Sequence, residues 1–363
     1  MTGFALYRLP HEQQVTMVAQ TEGEPQELGS CKALNGQTGF VVAPFAVSEQ
    51  TPIVVIRPDV VRTYASVATV SLDLEKSDAC ELFVRRLRTD SPSPTDSLRM
   101  TYSSDFNRFF DRLKSGDYQK LVLSRCVEEP ISANVSPLEL FQRACQLYPR
   151  LFISLVYTPK SGLWLTATPE ILLEGKGNEW RTIALAGTMK LKGDELKGEG
   201  ESLTWSTKNI QEQRYVATYL KECLEQLADN IQEEGPRTVR AANLVHLRSD
   251  FTFTLFNNAR VGDVLQMLHP TPAVCGLPKQ ETYRFILDNE HTPRLYYSGF
   301  MGPLNMEDNT HLYVSLRCMQ ITSDSYRMYA GGGLLKDSVE EQEWQETEAK
   351  LETMRQCIAT KKM

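Results

Sequence analysis

Glu343, Glu346 and Lys350 stand at i, i+3 and i+7 in EEQEWQETEAK, so a helix there projects two carboxylates and an ammonium from one side. They follow Gly331, Gly332 and Gly333. Lacking Cβ atoms, such residues let backbone N–H groups approach a ligand closely. The set suits a metal with an anionic small molecule. Taken alone, the stretch reads more simply as turn or helix-capping glycines beside a solvated charged helix. Lys120 begins the apolar run KLVLSRCV. If its face is buried its pKa falls and it can act as a general base; if it marks the strand's entry, its ammonium reaches water. Glu170 follows Pro169 among apolar residues in TATPEILLEG, where burial raises a carboxyl pKa and makes a general acid; a turn carboxylate is the plain alternative. Arg317, inside YVSLRCMQ, demands an anion, and a carboxylate is its natural bidentate partner. His246 in NLVHLRSD reads as a core histidine when taken alone.

The elements that must carry these groups follow from periodicity. Phe106, Phe109, Phe110 and Leu113 predict a helix over Asp105–Lys114, and QKLVLSRCV predicts a strand. Pro137 opens a helix to Leu147. The runs FISLVY, GLWLTA, EILLEG and TIALAG predict short antiparallel strands. Val216, Leu220, Cys223, Leu227 and Ile231 predict one long helix over Ser206–Ile231. Glu212 extends its apolar stripe by a turn, so it is either buried against a partner or metal, or solvated where the stripe emerges. A helix at Glu281–Leu287 and strands at ANLVHLRSDFTFTL, LYYSGFMGPL, HLYVSLRCMQI and SYRMYAG follow. Trp344, Thr347, Leu351, Met354 and Ile358 form the stripe that docks the last helix. HPTPAVCG reads as an ordered loop, and TDSPSPTDS (Thr89 to Ser97) as a seam. Strands interleaved with long helices, without a βαβ rhythm, indicate an α+β fold. Glu212 and Glu346 come from different helices. Two carboxylates without a competing His/Cys set suit a magnesium ion that keeps several waters.

Composition excludes several classes. A net charge of −7 argues against a nucleic-acid binder, which needs a basic face. No apolar run spans a bilayer, and MTGFALYRLPHEQQ is not a secretory signal. The eight cysteines are scattered, with no C-x-x-C pair. Cys126, Cys145, Cys223, Cys275 and Cys318 sit in periodic apolar segments as core residues, which suits a reducing cytoplasm. A P-loop, a dinucleotide fingerprint and a nucleophile elbow are absent.

In order along the chain, KLVLSR, TPEILL, LAGT, KNIQEQ, VHL, HPTPAVCG, LYYSG, LRC, YAGGG and EWQETEAK together resemble the chorismate-binding family, over roughly Phe106 to Met354. That family includes isochorismate, salicylate, anthranilate and aminodeoxychorismate synthases. The resemblance implies two facing antiparallel β-sheets with helices packed outside. It implies a single chorismate-binding domain over 1–363, with 1–97 its β-rich N-terminal part and 98–363 carrying the motifs. By the same resemblance Glu212 and Glu346 are direct magnesium ligands and Glu343 binds directly or through water. Gly187, Thr188, Ala273, Tyr297, Arg317, Gly331, Gly333 and Lys350 anchor chorismate, with Arg317 and Tyr297 at its pyruvyl carboxylate. His246 lies on the ring side.

The resemblance also speaks to the nucleophile. Lys120 stands where water-using members carry lysine and the anthranilate type carries glutamine. Ala186 stands where aminodeoxychorismate synthases carry a nucleophilic lysine. Both imply water, with Lys120 as base for attack at C2 and Glu170 as acid for the departing C4 hydroxyl, and no obligatory glutamine amidotransferase partner. Ala273 resembles members that stop at isochorismate rather than continuing to salicylate. A chorismate-binding subunit without catalysis is the alternative of another class, and the intact Lys120, Glu170, Glu212 and Glu346 argue against it. Asn209 replaces an acidic residue often found three positions before Glu212, which removes a charge near the metal.

Overall fold

Alternating apolar strands need a second layer to bury their inner faces, and here each sheet supplies it for the other. The computed structural model describes residues 1–70, 95–131, 135–190, 203–241, 244–256 and 260–359. Among these, two nine-stranded antiparallel sheets form. The first runs in spatial order Gly276–Leu277, Lys120–Pro130, Ser325–Leu334, Cys318–Ile321, Gly162–Thr168, Phe152–Thr158, Gly3–Arg8, Val15–Gln20 and Val60–Tyr64. The second runs Ala228–Ala241, Leu244–Leu255, Glu179–Lys190, Ile171–Lys176, Asn309–Val314, Phe300–Leu304, Gly39–Ala43, Ile53–Ile56 and Gln26–Leu28. Tyr7, Phe40, Phe152, Trp164, Ile183, Tyr297, Tyr313 and Tyr329 pack between the sheets. The first 70 residues feed both sheets: Gly3–Arg8 pairs with Phe152–Thr158, and Gly39–Ala43 with Phe300–Leu304.

Among the described residues six α-helices lie outside: α1 (Thr95–Lys114), α2 (Pro137–Leu147), α3 (Thr207–Leu224), α4 (Val261–Leu268), α5 (Lys279–Asn289) and α6 (Glu340–Ile358). Leu138, Phe141 and Cys145 of α2 share a core with Leu351, Met354 and Cys357 of α6 on the outer face of the first sheet. Helices α3 and α4 cover the second sheet through Val216, Leu220, Leu224, Val264 and Leu268. Phe106 and Phe109 of α1 meet Phe285 of α5 over Leu121, Leu123 and Leu334. Among the described residues no helix is long and apolar enough to cross a membrane.

Several elements depart from the sequence expectation. Helix α1 begins at Thr95, nearly three turns before Asp105 at about 3.6 residues per turn, while residues 89–94 of the expected seam lie outside the described residues. Helix α3 ends at Leu224, not Ile231. Strand Ala228–Ala241 follows, with Asn230 at φ 55°. Leu227, in the connecting turn, and Ile231, in the strand, still pack on the second sheet's core, so their helical spacing does not mark a helix. HLYVSLRCMQI is two strands in different sheets. LYYSGFMGPL is a strand only from Phe300. Gly331 to Gly333 lie inside a strand, not in a turn.

Candidate functional site

Two chain crossings between the sheets build one wall of the site. Gly162–Thr168 in the first sheet leads through Pro169 and Glu170 into Ile171–Lys176 of the second. Beside it, Asn309–Val314 of the second sheet leads through Ser315, Leu316 and Arg317 into Cys318–Ile321 of the first. The crossings are stitched together: Val314 N–H donates to the Glu170 carbonyl (2.9 Å) and Ala167 N–H to the Arg317 carbonyl (3.1 Å). Arg317 takes φ 47°, a left-handed conformation that costs energy for a residue with a Cβ. It is therefore a crossing residue, not the mid-strand arginine expected from YVSLRCMQ.

Glu170 and Arg317 both line a cavity of about 60 Å³ between the sheets. Burial pushes the Glu170 carboxyl up to about 8, against the opposing pull of Lys120, Arg317 and Lys350. Burial likewise brings Arg317 down to about 10, still fully cationic at neutral pH. Arg317 donates to Nε2 of His246, and Nδ1 of His246 lies 3.1 Å from the Gly187 carbonyl. That pairing assigns the ring as neutral with its proton on Nδ1. Burial, Arg317 and Lys350 hold the imidazolium pKa well below its ordinary value, in agreement.

The second sheet supplies His246 opposite Thr188 in register, at a bulge in strand Glu179–Lys190. The bulge residue is Gly187, at φ +72°, and a Cβ there would lie 3.0 Å from the Asn209 carbonyl oxygen. Such bulges re-aim side chains beside active sites. Ala186, Gly187, Thr188, Ala273 and Tyr297 all line the same cavity. Tyr297 is buried and stacks on Tyr329 at 5.5 Å.

The opposite wall is acidic. Ser206 caps α3 by accepting from Asn209 N–H (3.2 Å), and the buried face of the helix starts with Asn209, Glu212 and Gln213. Glu212 is thus buried, the first of the two readings its position allowed. Arg125 pins α6 in place: its guanidinium lies 3.7 Å over Trp344, donates to Thr347 Oγ1 at 2.8 Å and pairs with Glu348. That docking sets Glu343, Glu346 and Lys350 against the glycine strand.

Each carboxylate meets a lysine. Lys120, fully buried rather than snorkelling at the strand's entry, places Nζ 3.1 Å from Glu212 Oε1. Lys350 donates to Glu346 Oε1 at 2.7 Å and to the Gly331 carbonyl at 2.8 Å. Lys208 pairs with Glu343. Burial alone would raise Glu212, but Lys120, Lys208 and Lys350 outweigh it and hold the carboxyl below its ordinary range. Glu343 moves the other way: burial and Glu346 raise it despite Lys208.

The glycines serve close approach. A Cβ on Gly333 would sit 2.0 Å from Glu212 Oε1, and one on Gly331 2.8 Å from the Tyr297 hydroxyl. One on Gly332 would face Glu343 Oε2 at 3.5 Å and Glu346 Oε1 at 3.8 Å. Glu343 Oε2 is buried with no hydrogen-bond partner. Three carboxylates converging on bare backbone, one with an orphaned oxygen, fit a hard divalent cation that keeps water ligands. As placed, no group of three such side chains among the described residues closes around an ion, and each of these carboxylates is paired with a lysine.

All fourteen residues expected from sequence thus gather at one site, eleven lining the cavity and Lys120, Glu343 and Glu346 just behind the Gly332–Gly333 wall. Sequence reasoning missed Lys208. Its only signal was a lysine in the motif KNIQEQ, four residues before Glu212.

Comparison with known proteins matches residues 56–359 to the family described as chorismate binding enzyme. The chain is 29% identical over 238 residues to isochorismate synthase EntC of Escherichia coli (strain K12), a match covering 65% of this chain and 61% of that one. The matched region is thus less than two thirds of that relative. DhbC from Bacillus anthracis shares the fold with TM-score 0.80 at 22% identity, over 98% of this chain and 96% of that one. MenF, the menaquinone-specific isochorismate synthase from Escherichia coli, shares it with TM-score 0.77 at 22% identity, over 98% and 89%.

Proposed function

The chain belongs to the chorismate-binding enzyme family, and on that premise we propose that it is an isochorismate synthase. The observation that carries this reading is Glu170, a buried carboxyl held near pKa 8 in a cavity shared with Arg317, His246 and Lys350. It offers a proton at neutral pH, which departure of a hydroxyl requires. Lys120 supplies the complementary function. Its Nζ lies 3.1 Å from Glu212 in an ion pair and has no aligned hydrogen-bond partner, and we assign it as the base that takes the proton from water. Ala186 on the cavity wall leaves water as the attacking group where a lysine would itself attack.

The steps balance. Water attacks C2 of chorismate and gives a proton to Lys120. The ring double bonds shift, and the C4 hydroxyl leaves as water with a proton from Glu170. Solvent exchange returns Lys120 and Glu170 to their starting states, and the product is an isomer of the substrate. Arg317 and Lys350 present fixed cations to the substrate's carboxylates, with Tyr297 and the Thr188 hydroxyl as neutral partners. We assign magnesium as cofactor, held by Glu212 and Glu346, with Glu343 bound directly or through water. When bound it supplies Lewis-acid neutralisation of carboxylate charge. Since ammonia is not the nucleophile, no amidotransferase partner is needed. A cytoplasmic setting fits the unpaired thiols, and the product would enter menaquinone or siderophore synthesis.

Incubation with chorismate and magnesium, followed by chromatography, tests the reading. Isochorismate as sole product is expected. Salicylate with pyruvate would move the assignment to a salicylate synthase, and no turnover with or without ammonia would favour a binding subunit.

A further inference from the structure

Three lysines meet three carboxylates, but not in the same way. Lys120 and Lys350 take Glu212 Oε1 and Glu346 Oε1, the oxygens that face the glycine strand: these lie 2.0 Å and 3.8 Å from where Cβ atoms on Gly333 and Gly332 would be. A metal seated there must displace both ammonium groups. Lys208 instead takes Glu343 Oε1 and leaves Oε2, buried and unpartnered, directed at the same glycine. Lys208 comes from the first turn of α3 and Glu343 from the first turn of α6, so the pair also ties together the two helices that carry the carboxylates.

We infer that Lys208 is a positioning residue for the metal site, fixing Glu343 through its outward oxygen so that Oε2 is presented to the cation or to its bound water. The assignment rests on the proposed magnesium site and deepens it. Ligand carboxylates hydrogen-bonded from outside are oriented before the metal arrives, and loss of such a partner typically weakens metal affinity about 10- to 100-fold. The Lys208 side chain keeps 23% of its exposure, so its replacement leaves no buried hole.

The test titrates magnesium into the full-length protein, with and without chorismate, reading heat and the magnesium-dependent rise in Tm. Lys208→Met should bind magnesium about 10- to 100-fold more weakly than the parent, and Lys208→Arg should recover most of the loss. The Tm of Lys208→Met without magnesium serves as the folding control and should stay near that of the parent. Parent-like affinity in Lys208→Met would overturn the assignment. So would tighter binding, which would make Lys208 a competitor for the metal. A parent protein with no magnesium-dependent signal would sink the metal reading itself and this role with it.

Discussion

Glu170 and Glu212 are almost equally buried, yet their carboxyls move in opposite directions. At the sheet crossing, Glu170 is raised to about 8 because burial outweighs cations that act only at a distance. At the helix wall, Glu212 is lowered because Lys120 stands 3.1 Å away, with Lys208 and Lys350 behind it. The contrast teaches that burial alone assigns no role; the placement of ammonium groups does. One region keeps a neutral acid that can give a proton, the other a charged carboxylate that can hold a cation. Environments that push two carboxyls apart are the usual mark of divided acid and electrostatic duties.

The most severe break of that contrast is Lys120→Gln. It removes both the proposed base and the neighbour of Glu212, and isochorismate formation should fall by about 10²- to 10⁴-fold or more while circular dichroism stays unchanged. Retained turnover would remove Lys120 from the role of base. Glu170→Gln should cost about 10²- to 10⁴-fold in kcat. It should also abolish the alkaline limb of the rate profile. In the parent that limb should begin near pH 8, because Glu170 must be protonated to act and loses its proton as pH rises through about 8. A parent profile flat to pH 10 would contradict this.

Stability should split by sign as well. Glu170 has a folded pKa above its unfolded value of about 4.3, so the folded state holds the extra proton between about pH 4.3 and 8. Its contribution is therefore most favourable below that window and is lost as pH rises through it. Glu170→Gln should raise Tm at pH 8 relative to the parent and leave it little changed at pH 4. Glu212, with its folded pKa lowered, contributes stability above its unfolded pKa and loses it as pH falls through the folded value. Glu212→Gln should lower Tm at neutral pH, since Lys120 is left buried without a charged partner, and this deficit should shrink in acid. The smallest expected effect is at Gly332→Ala, whose Cβ meets carboxylate oxygens only at 3.5 and 3.8 Å. A several-fold higher magnesium requirement in turnover assays, without loss of Tm, is expected there.

What was legible in sequence was mostly local or carried by motif. Glu343, Glu346 and Lys350 share a helix face whatever surrounds them, and the apolar stripe through Leu351 and Met354 docks as its spacing implies. Whether Glu212 was buried could not be read from its own helix, because the answer lies in Gly333 and Lys120, far away in the chain. Arg317 reads as mid-strand because apolar residues flank it on both sides in YVSLRCMQ. The break between sheets is set by pairing with residues 162–176, a non-local constraint. Lys208 has Glu212 as its i+4 neighbour in sequence, yet it pairs with Glu343 from another helix. The motif resemblance supplied roles that residue patterns alone left open, and the structure supplied the distances.

The difference in charge state between Glu170 and Glu212 can be read directly by infrared difference spectroscopy, comparing the parent with Glu170→Gln and with Glu212→Gln. A protonated carboxyl C=O band is expected at pH 7 that is missing in Glu170→Gln, persists in Glu212→Gln, and fades in the parent as pH passes about 8. A parent without that band at pH 7, or with a band that Glu212→Gln removes instead, would contradict it.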